Sequence, residues 1–221
     1  MQMKSSKILY AYWNELRGAR SAPDRKNLDP TKIREALANT FILQADEEAN
    51  FSFRLAGSHL CSTYCRELKS RSFSNLWHPR DGDAIETLIR AVTDDHAVAL
   101  VTFQGVTSSG HDARFETILL PLRHNGSNNA RILGGLTGLS DPYWLGTQPI
   151  VEQRITGLRL IWPDDPANNL ANENISEIME TDVSWVDAAS TGSGPTAAPT
   201  SIFGRSARRY AHLAVIDGGR N

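Results

Sequence analysis

Along this chain the hydrophobic positions change period several times, and each change marks an element. Ile8, Leu9, Tyr12, Trp13 and Leu16 fall at helical spacings, with Lys4, Lys7, Asn14, Glu15 and Arg17 largely off the stripe. That spacing predicts an amphipathic helix, ended by Gly18 and then Pro23. Asp29-Pro30 ahead of TKIRE predicts a second short helix with proline in its first turn. Phe41-Ile42-Leu43 reads as a short strand and Glu47 to Asn50 as a turn. FSFRLAG then alternates, with Phe51, Phe53 and Leu55 on one face and Ser52 and Arg54 on the other. The two runs predict a hairpin.

The stretch CRELKSRSFSNLWHPRD (65–81) mixes both signs of charge with Leu68, Phe73, Leu76 and Trp77. It reads as a crossover whose apolar residues face a sheet and whose charges face water, with Pro79 separating a short turn from the next helix. In that helix Ile85, Leu88, Ile89 and Val92 sit at i, i+3, i+4 and i+7, and Asp81 or Asp83 is placed to cap its start. After His96 the period returns to two. AVALVTFQGVT, RFETILLPL and RILGGLTG predict three antiparallel strands, the second closing near Pro121 because proline cannot donate to a ladder. Gly134-Gly135 marks a point where other groups approach the backbone closely. IVEQRITGLRLIW (150–162) reads as a further strand or a docking segment.

The elements define an α+β class: an antiparallel sheet with helices on one face, an N-terminal helical arm and a flexible C-terminal tail. The boundaries are 1–35 for the arm, 36–145 for the central domain and 146–162 for an extension. An acidic flexible linker spans 163–200, with seven acidic residues and no lysine or arginine, and a basic segment spans 201–221.

Composition narrows the function. At 221 residues, with 40% hydrophobic and 22% charged positions, the chain has the make-up of a folded globular domain. A net charge of −2 provides no general attraction to nucleic acid or to anionic membrane, and no run reaches the ~20 apolar residues of a membrane span. The N-terminus lacks the apolar core and small-residue site of a secretory signal, and Cys61 and Cys65 are the only cysteines. A reducing cytoplasm is the expected compartment. Arg205, Arg208, Arg209 and Arg220 are available for phosphate contacts, but without aromatic stacking or a helix-turn-helix. The expectation is no nucleic-acid partner, and docking of that segment on the linker, the domain or another protein.

No HExxH, GxSxG, P-loop or Rossmann fingerprint is present, so the chain is expected not to be an enzyme. Cys61 and Cys65, with His59 nearby, are the one exception to weigh. At i and i+4 two thiolates on one helical face are compatible with metal ligation, and a cofactor- or metal-dependent sensor or enzyme at this neighbourhood is the alternative reading. No second Cys/His pair completes a tetrahedral set, which favours packing of two small residues under the sheet and no bound metal or cofactor.

Several residues together resemble the PAS-domain pattern. These are Gly57, Tyr64-Cys65-Arg66-Glu67-Leu68, Arg71-Ser72-Phe73, Leu76-Trp77-His78-Pro79 and Asp81, with Cys65 and Ser70 standing where the PAS phrase has glycine. Trp13, Leu16, Arg17, Arg20, Pro23, Arg25, Asp29 and Pro30, with Arg208 to Leu213 and Asp217 to Gly219, look like the ends of small single-PAS proteins of alphaproteobacteria. The resemblance implies a five-stranded antiparallel sheet in the order 2-1-5-4-3, a small internal cavity, and sensing or partner binding, often as a dimer. Tyr64-Cys65-Arg66-Glu67-Leu68 shares only Cys-Arg-x-Leu with the flavin-binding photosensory phrase, so no covalent flavin chemistry is expected.

Any ligand cavity is expected among Phe53, Leu55, Tyr64, Phe73, Trp77, Leu88, Phe103, Phe115 and Leu133, with a filled core as the equal alternative. The arm helix is too short to stand alone in water. Through Ile8, Leu9, Tyr12, Trp13 and Leu16 it docks on its own domain, on a second copy to make a homodimer, or on a regulatory protein partner.

Overall fold

The computed structural model describes residues 1–124 and 127–164, the side chains of 124 and 127–130 excepted. The expected linker from residue 165 onward and the basic segment lie outside the described residues. The frame is one antiparallel sheet built from β1 (Thr40–Ala45), β2 (Phe51–Ala56), β3 (Val98–Thr107), β4 (Asp112–His124), β5 (Ser127–Gly138) and β6 (Ile150–Ile161). Its order is β2-β1-β5-β4-β3-β6. The order 2-1-5-4-3 is present, and the segment read as a strand or docking element adds a sixth strand beside β3.

Successive side chains of a strand point to opposite faces, so the sheet carries two apolar layers. One face buries Phe41, Leu43, Val101, Phe103, Phe115 and Leu119 against α2 (Ser58–Thr63), the crossover and α3 (Gly82–Thr93). The other buries Ile42, Leu100, Ile118, Leu120 and Leu133 against α1 (Lys4–Arg17) and the segment around Ile33. α3 places Ile85, Leu88, Ile89 and Val92 on the first layer, as their spacing predicts. The crossover does the same with Leu68, Phe73, Leu76 and Trp77.

α1 ends at Gly18, which takes φ 56°. Its buried ridge is Ser6, Leu9, Tyr10, Trp13 and Arg17, rotated from the expected stripe so that Ile8, Tyr12 and Leu16 lie half-exposed along its flank. The rotation follows from what the sheet offers. A Cβ on Gly135 would collide with Leu9, so the bare glycine lets the helix settle onto β5. The Trp13 indole donates to the Pro121 carbonyl at 2.8 Å. On the opposite face a Cβ on Gly134 would overlap the Phe41 ring. The glycine pair therefore admits one large side chain from each layer.

Four expectations are corrected. Leu55 is 45% exposed and not in the core, because Leu43 pairs with Phe53 while Ile42 pairs with Leu55. The extra residue, Arg54, is a β-bulge that turns Leu55 to the other face at the sheet edge. Leu133 is buried, but on the α1 face with Ile42; β5 is covered on both sides, so its apolar run does not reveal which residues face which layer. β4 continues through Pro121 to His124, since β3 pairs with it only as far as Ala99↔Leu119 and no ladder bond is asked of the proline there. Asp81 precedes α3 without capping it, and its carboxylate accepts from the Ile155 amide of β6 at 2.9 Å.

Cys65 and Ser70, the two departures from the PAS phrase, both adopt left-handed backbone, at φ 47° and 64°. The glycine conformation is kept without the glycine, against a steric penalty of roughly 1–2 kcal/mol at each. Ser70→Gly is expected to raise stability by about 0.5–1 kcal/mol, the relieved strain exceeding the added chain entropy. Gly134→Ala is expected to lower it by about 1–3 kcal/mol, because the Phe41 ring must move. Urea unfolding of both variants reads the two signs directly.

Candidate functional site

The α3-side layer is organised by a line of aromatic rings. Centroid separations are 5.4 Å for Phe41–Phe53, 5.9 Å for Phe53–Phe73, 5.7 Å for Phe73–Trp77, and 5.2 Å for both Trp77–Phe103 and Phe103–Phe115. These separations are those of rings in edge or offset contact. Phe53, Tyr64, Phe73, Trp77, Leu88, Phe103 and Phe115 are brought together here, while Leu55 and Leu133 are not.

Among the described residues, a buried polar pair enters this apolar layer from α2 and β6. Gln153, 1% exposed, reaches in from β6 opposite Gly105, and its Nε2 donates to the hydroxyl of the buried Tyr64. Its Oε1 and the Trp77 Nε1 are buried and have no hydrogen-bond partner among the described residues. Backbone bonds hold the two residues side by side: Trp77 bridges to Gln153, and the His78 amide donates to the Gln153 carbonyl at 2.8 Å. Burial raises the Tyr64 pKa far above its ordinary value, with Arg66 and the Gln153 bond opposing weakly.

Two clefts open at the sheet's margins. One, of about 180 Å³, lies by β2 and is lined by Gln44, Ser52, Phe53, Arg54 and Lys69 among others. The second, of about 490 Å³, lies beside α2 and the end of β5, where Asn39, His59, Ser62, Leu136 and Leu145 line it. Phe53 is the one expected cavity residue that lines either.

The Cys61/Cys65/His59 neighbourhood does not form a common site. α2 ends at Thr63, so Cys65 lies past it in left-handed backbone and shares no helical face with Cys61. Cys61 faces Glu67 at 3.9 Å, Cys65 the Ser62 carbonyl at 3.4 Å, and His59 Nδ1 the Asn39 amide oxygen at 3.2 Å. Neither cysteine is packed under the sheet: Cys61 is half-buried and Cys65 exposed. Among the described residues no three His, Cys, Asp or Glu side chains are grouped as metal ligands.

On the α1 face the arm is fastened by a carboxylate. Glu116 is 1% exposed and accepts from the amides of Gln2 and Met3 at 2.8 and 3.1 Å. It thereby satisfies donors at the start of α1 and sets a negative charge at the positive end of the helix dipole. At the other end Arg17 lies over the Trp13 ring at 5.5 Å and pairs with Asp164 at 2.8 Å. Leu9 and Trp13, expected as partner contacts, are fully buried in their own domain, while Ile8, Tyr12 and Leu16 keep open surface.

Glu116 and Gln153 were not anticipated. Glu116 had a legible signal: it is a lone carboxylate in the alternating set 116, 118, 120, 122, whose other members are apolar. Gln153 had none, because nothing in IVEQRITGLRLI distinguishes the inward positions of an edge strand.

With this geometry described, comparison identifies the class. Residues 1–137 match the family model described as PAS domain, and the chain belongs to that family of sensory domains. Solved structures of similar fold include the dark structure of the blue-light photoreceptor Aureochrome1 LOV. It is 17% identical, covers 68% of this chain and 95% of that one, and has a TM-score of 0.41. The PAS domain of a protein from Colwellia psychrerythraea is 14% identical, with coverages of 50% and 98% and a TM-score of 0.38. A sensory box histidine kinase/response regulator from Burkholderia thailandensis is 12% identical, with coverages of 67% and 99% and a TM-score of 0.36. No curated protein sequence matches the chain.

Glu116→Gln is expected to cost about 1–2 kcal/mol and to speed amide exchange in residues 2–10 while β3 and β4 stay protected. Equal exchange in both proteins would mean that the charge does not hold the arm. Tyr64, whose folded pKa is raised, adds stability that is complete below the unfolded value of 10.0 and is lost as pH rises above it. Tyrosinate absorbance followed during alkaline titration is expected to show one tyrosine ionising only with unfolding.

Proposed function

We propose that the chain is a single-PAS sensory and regulatory protein of the cytoplasm, acting as a homodimer through contact with a regulatory protein partner and without catalysis of its own. One observation carries this reading. α1 covers an apolar sheet face through Leu9 and Trp13 and is pinned at its start by Glu116, while Ile8, Tyr12 and Leu16 remain half-exposed beside it. A helix of this length is not stable undocked, so it sits on its own sheet or exchanges that contact for another. That is a two-state element which a partner can bias.

A small ligand acts on such an element only through different affinities for its two states, and a full reversal of populations needs roughly a 10⁴-fold difference. The cleft of about 490 Å³ beside α2 lies within the usual size of small-molecule sites and is the place for such a ligand. The alternative, a metal- or cofactor-dependent sensor or enzyme at Cys61, Cys65 and His59, has less support because each side chain faces a different neighbour. The free thiols suit a reducing compartment.

Deleting residues 1–18 does not test the dimer, since it would bare Leu100, Ile118 and Leu133 on the sheet. The double variant Ile8→Asp/Leu16→Asp alters the half-exposed flank and leaves the buried ridge. Sedimentation equilibrium is expected to give a dimer for the native chain and a monomer for the variant, with unchanged circular dichroism. A native chain that is monomeric at all concentrations, or a variant that stays dimeric, would refute the arm as the self-association surface.

A further inference from the structure

At one end of the sheet arginines gather that form no ion pair among the described residues. Arg131 of β5 stands in register between Gln44 of β1 and Leu122 of β4. Its guanidinium donates to the Gln44 side-chain oxygen at 3.2 Å. One strand further out, Arg54 is the extra residue of the β2 bulge. From the opposite side the turn Arg25–Asn27 is held to β4, where the Arg123 amide donates to the Pro23 carbonyl at 3.0 Å and Asp24 bridges to Arg123. That brings the turn bearing Arg25 to the end of β4, beside the Leu122–Arg131 pair.

These guanidiniums have unused donors. The Nε atoms of Arg25, Arg123 and Arg131 are buried with no hydrogen-bond partner among the described residues. None of the ion pairs among the described residues involves Arg25, Arg54, Arg123 or Arg131. The adjacent carboxylates are engaged elsewhere: Asp24 pairs with Arg20 at 3.5 Å, and Asp46 accepts from the Glu48 and Asn50 amides at 3.0 and 2.8 Å. Arg131 is held below the usual arginine pKa by burial first, and then by the charges of Arg25 and Arg54. Converging like charges with buried, unpaired donors disfavour the empty fold and favour an anion between them.

We propose that Arg25, Arg54 and Arg131 form a binding site for the phosphate group of a small phosphorylated molecule. Phosphate fits better than carboxylate because it offers three terminal oxygens and up to about two charges to several planar forks at once, whereas a carboxylate satisfies one fork. The cleft of about 180 Å³ lined by Gln44, Asp46, Ser52, Arg54 and Lys69 takes in Arg54 and has room for the rest of the molecule. A small ligand fits better than a nucleic acid because the cations are confined to one end of the sheet in a chain of net charge −2.

Inorganic pyrophosphate is the probe, titrated into the full chain by calorimetry and by thermal unfolding, with sodium chloride at matched ionic strength as reference. The native protein is expected to bind one pyrophosphate saturably and to melt at a higher temperature in its presence. Arg25→Gln and Arg131→Gln are each expected to weaken binding at least tenfold. Arg25→Gln, at a half-buried position, is expected to melt no lower than the native chain when unliganded, because a repulsion and an unpartnered buried donor are removed. Arg90→Gln, whose arginine pairs with Glu86 on α3, is expected to bind as the native chain does. The site is refuted if pyrophosphate gives no saturable heat, if chloride produces the same rise in melting temperature, or if the Arg25 and Arg131 variants bind undiminished. Tighter binding of a single-stranded oligonucleotide than of pyrophosphate would refute the small-molecule assignment.

Discussion

The placement of β5 between two large side chains is the constraint on which the rest of this molecule depends. Gly134 leaves space for the Phe41 ring on one face of the sheet, and Gly135 leaves space for Leu9 on the other. Without both gaps the strand could not carry an apolar layer on each side at close-packed distance. The aromatic line from Phe41 to Phe115 follows from the first gap, and the docked arm from the second. A single strand is therefore in close contact with both layers.

Polar groups are buried where separate elements have to be held in register. Glu116 holds the start of α1 to β4. Tyr64 and Gln153 join the end of α2 to β6, and Asp81 adds a bond from the start of α3 to the same strand. Each such group is costly to leave unpaired in a low-dielectric interior, so each fixes a relationship that apolar contact alone leaves free to slide. β6 belongs to this stitching as much as to the sheet. The residues that define the PAS family and the strand that lies beyond residues 1–137 thus share one core.

The α+β class, the arm helix, the strands, α3 and most of the aromatic core were legible because each rests on local periodicity. Phe53, Phe73, Trp77, Phe103 and Phe115 could be assigned to one layer from alternation and spacing. Leu55 and Leu133 could not: one is displaced by a single-residue bulge, the other lies in a strand apolar on both faces. The strand running through Pro121 and the metal-like spacing of Cys61 and Cys65 failed for a related reason. Whether a ladder bond is required, or whether a helix continues two residues further, depends on partners distant in sequence.

By itself the sequence determined which segments are helical or extended, which of their faces are apolar, and where glycines permit close approach, because backbone sterics and side-chain period act over a few residues. Only the tertiary structure decided which face of α1 is buried, that a glutamine from a sixth strand enters the core, and that the segments bearing Arg54, Arg131 and Arg25 come to one end of the sheet. Those are relations between residues tens of positions apart, set by how strands register across the sheet, and no local pattern encodes them.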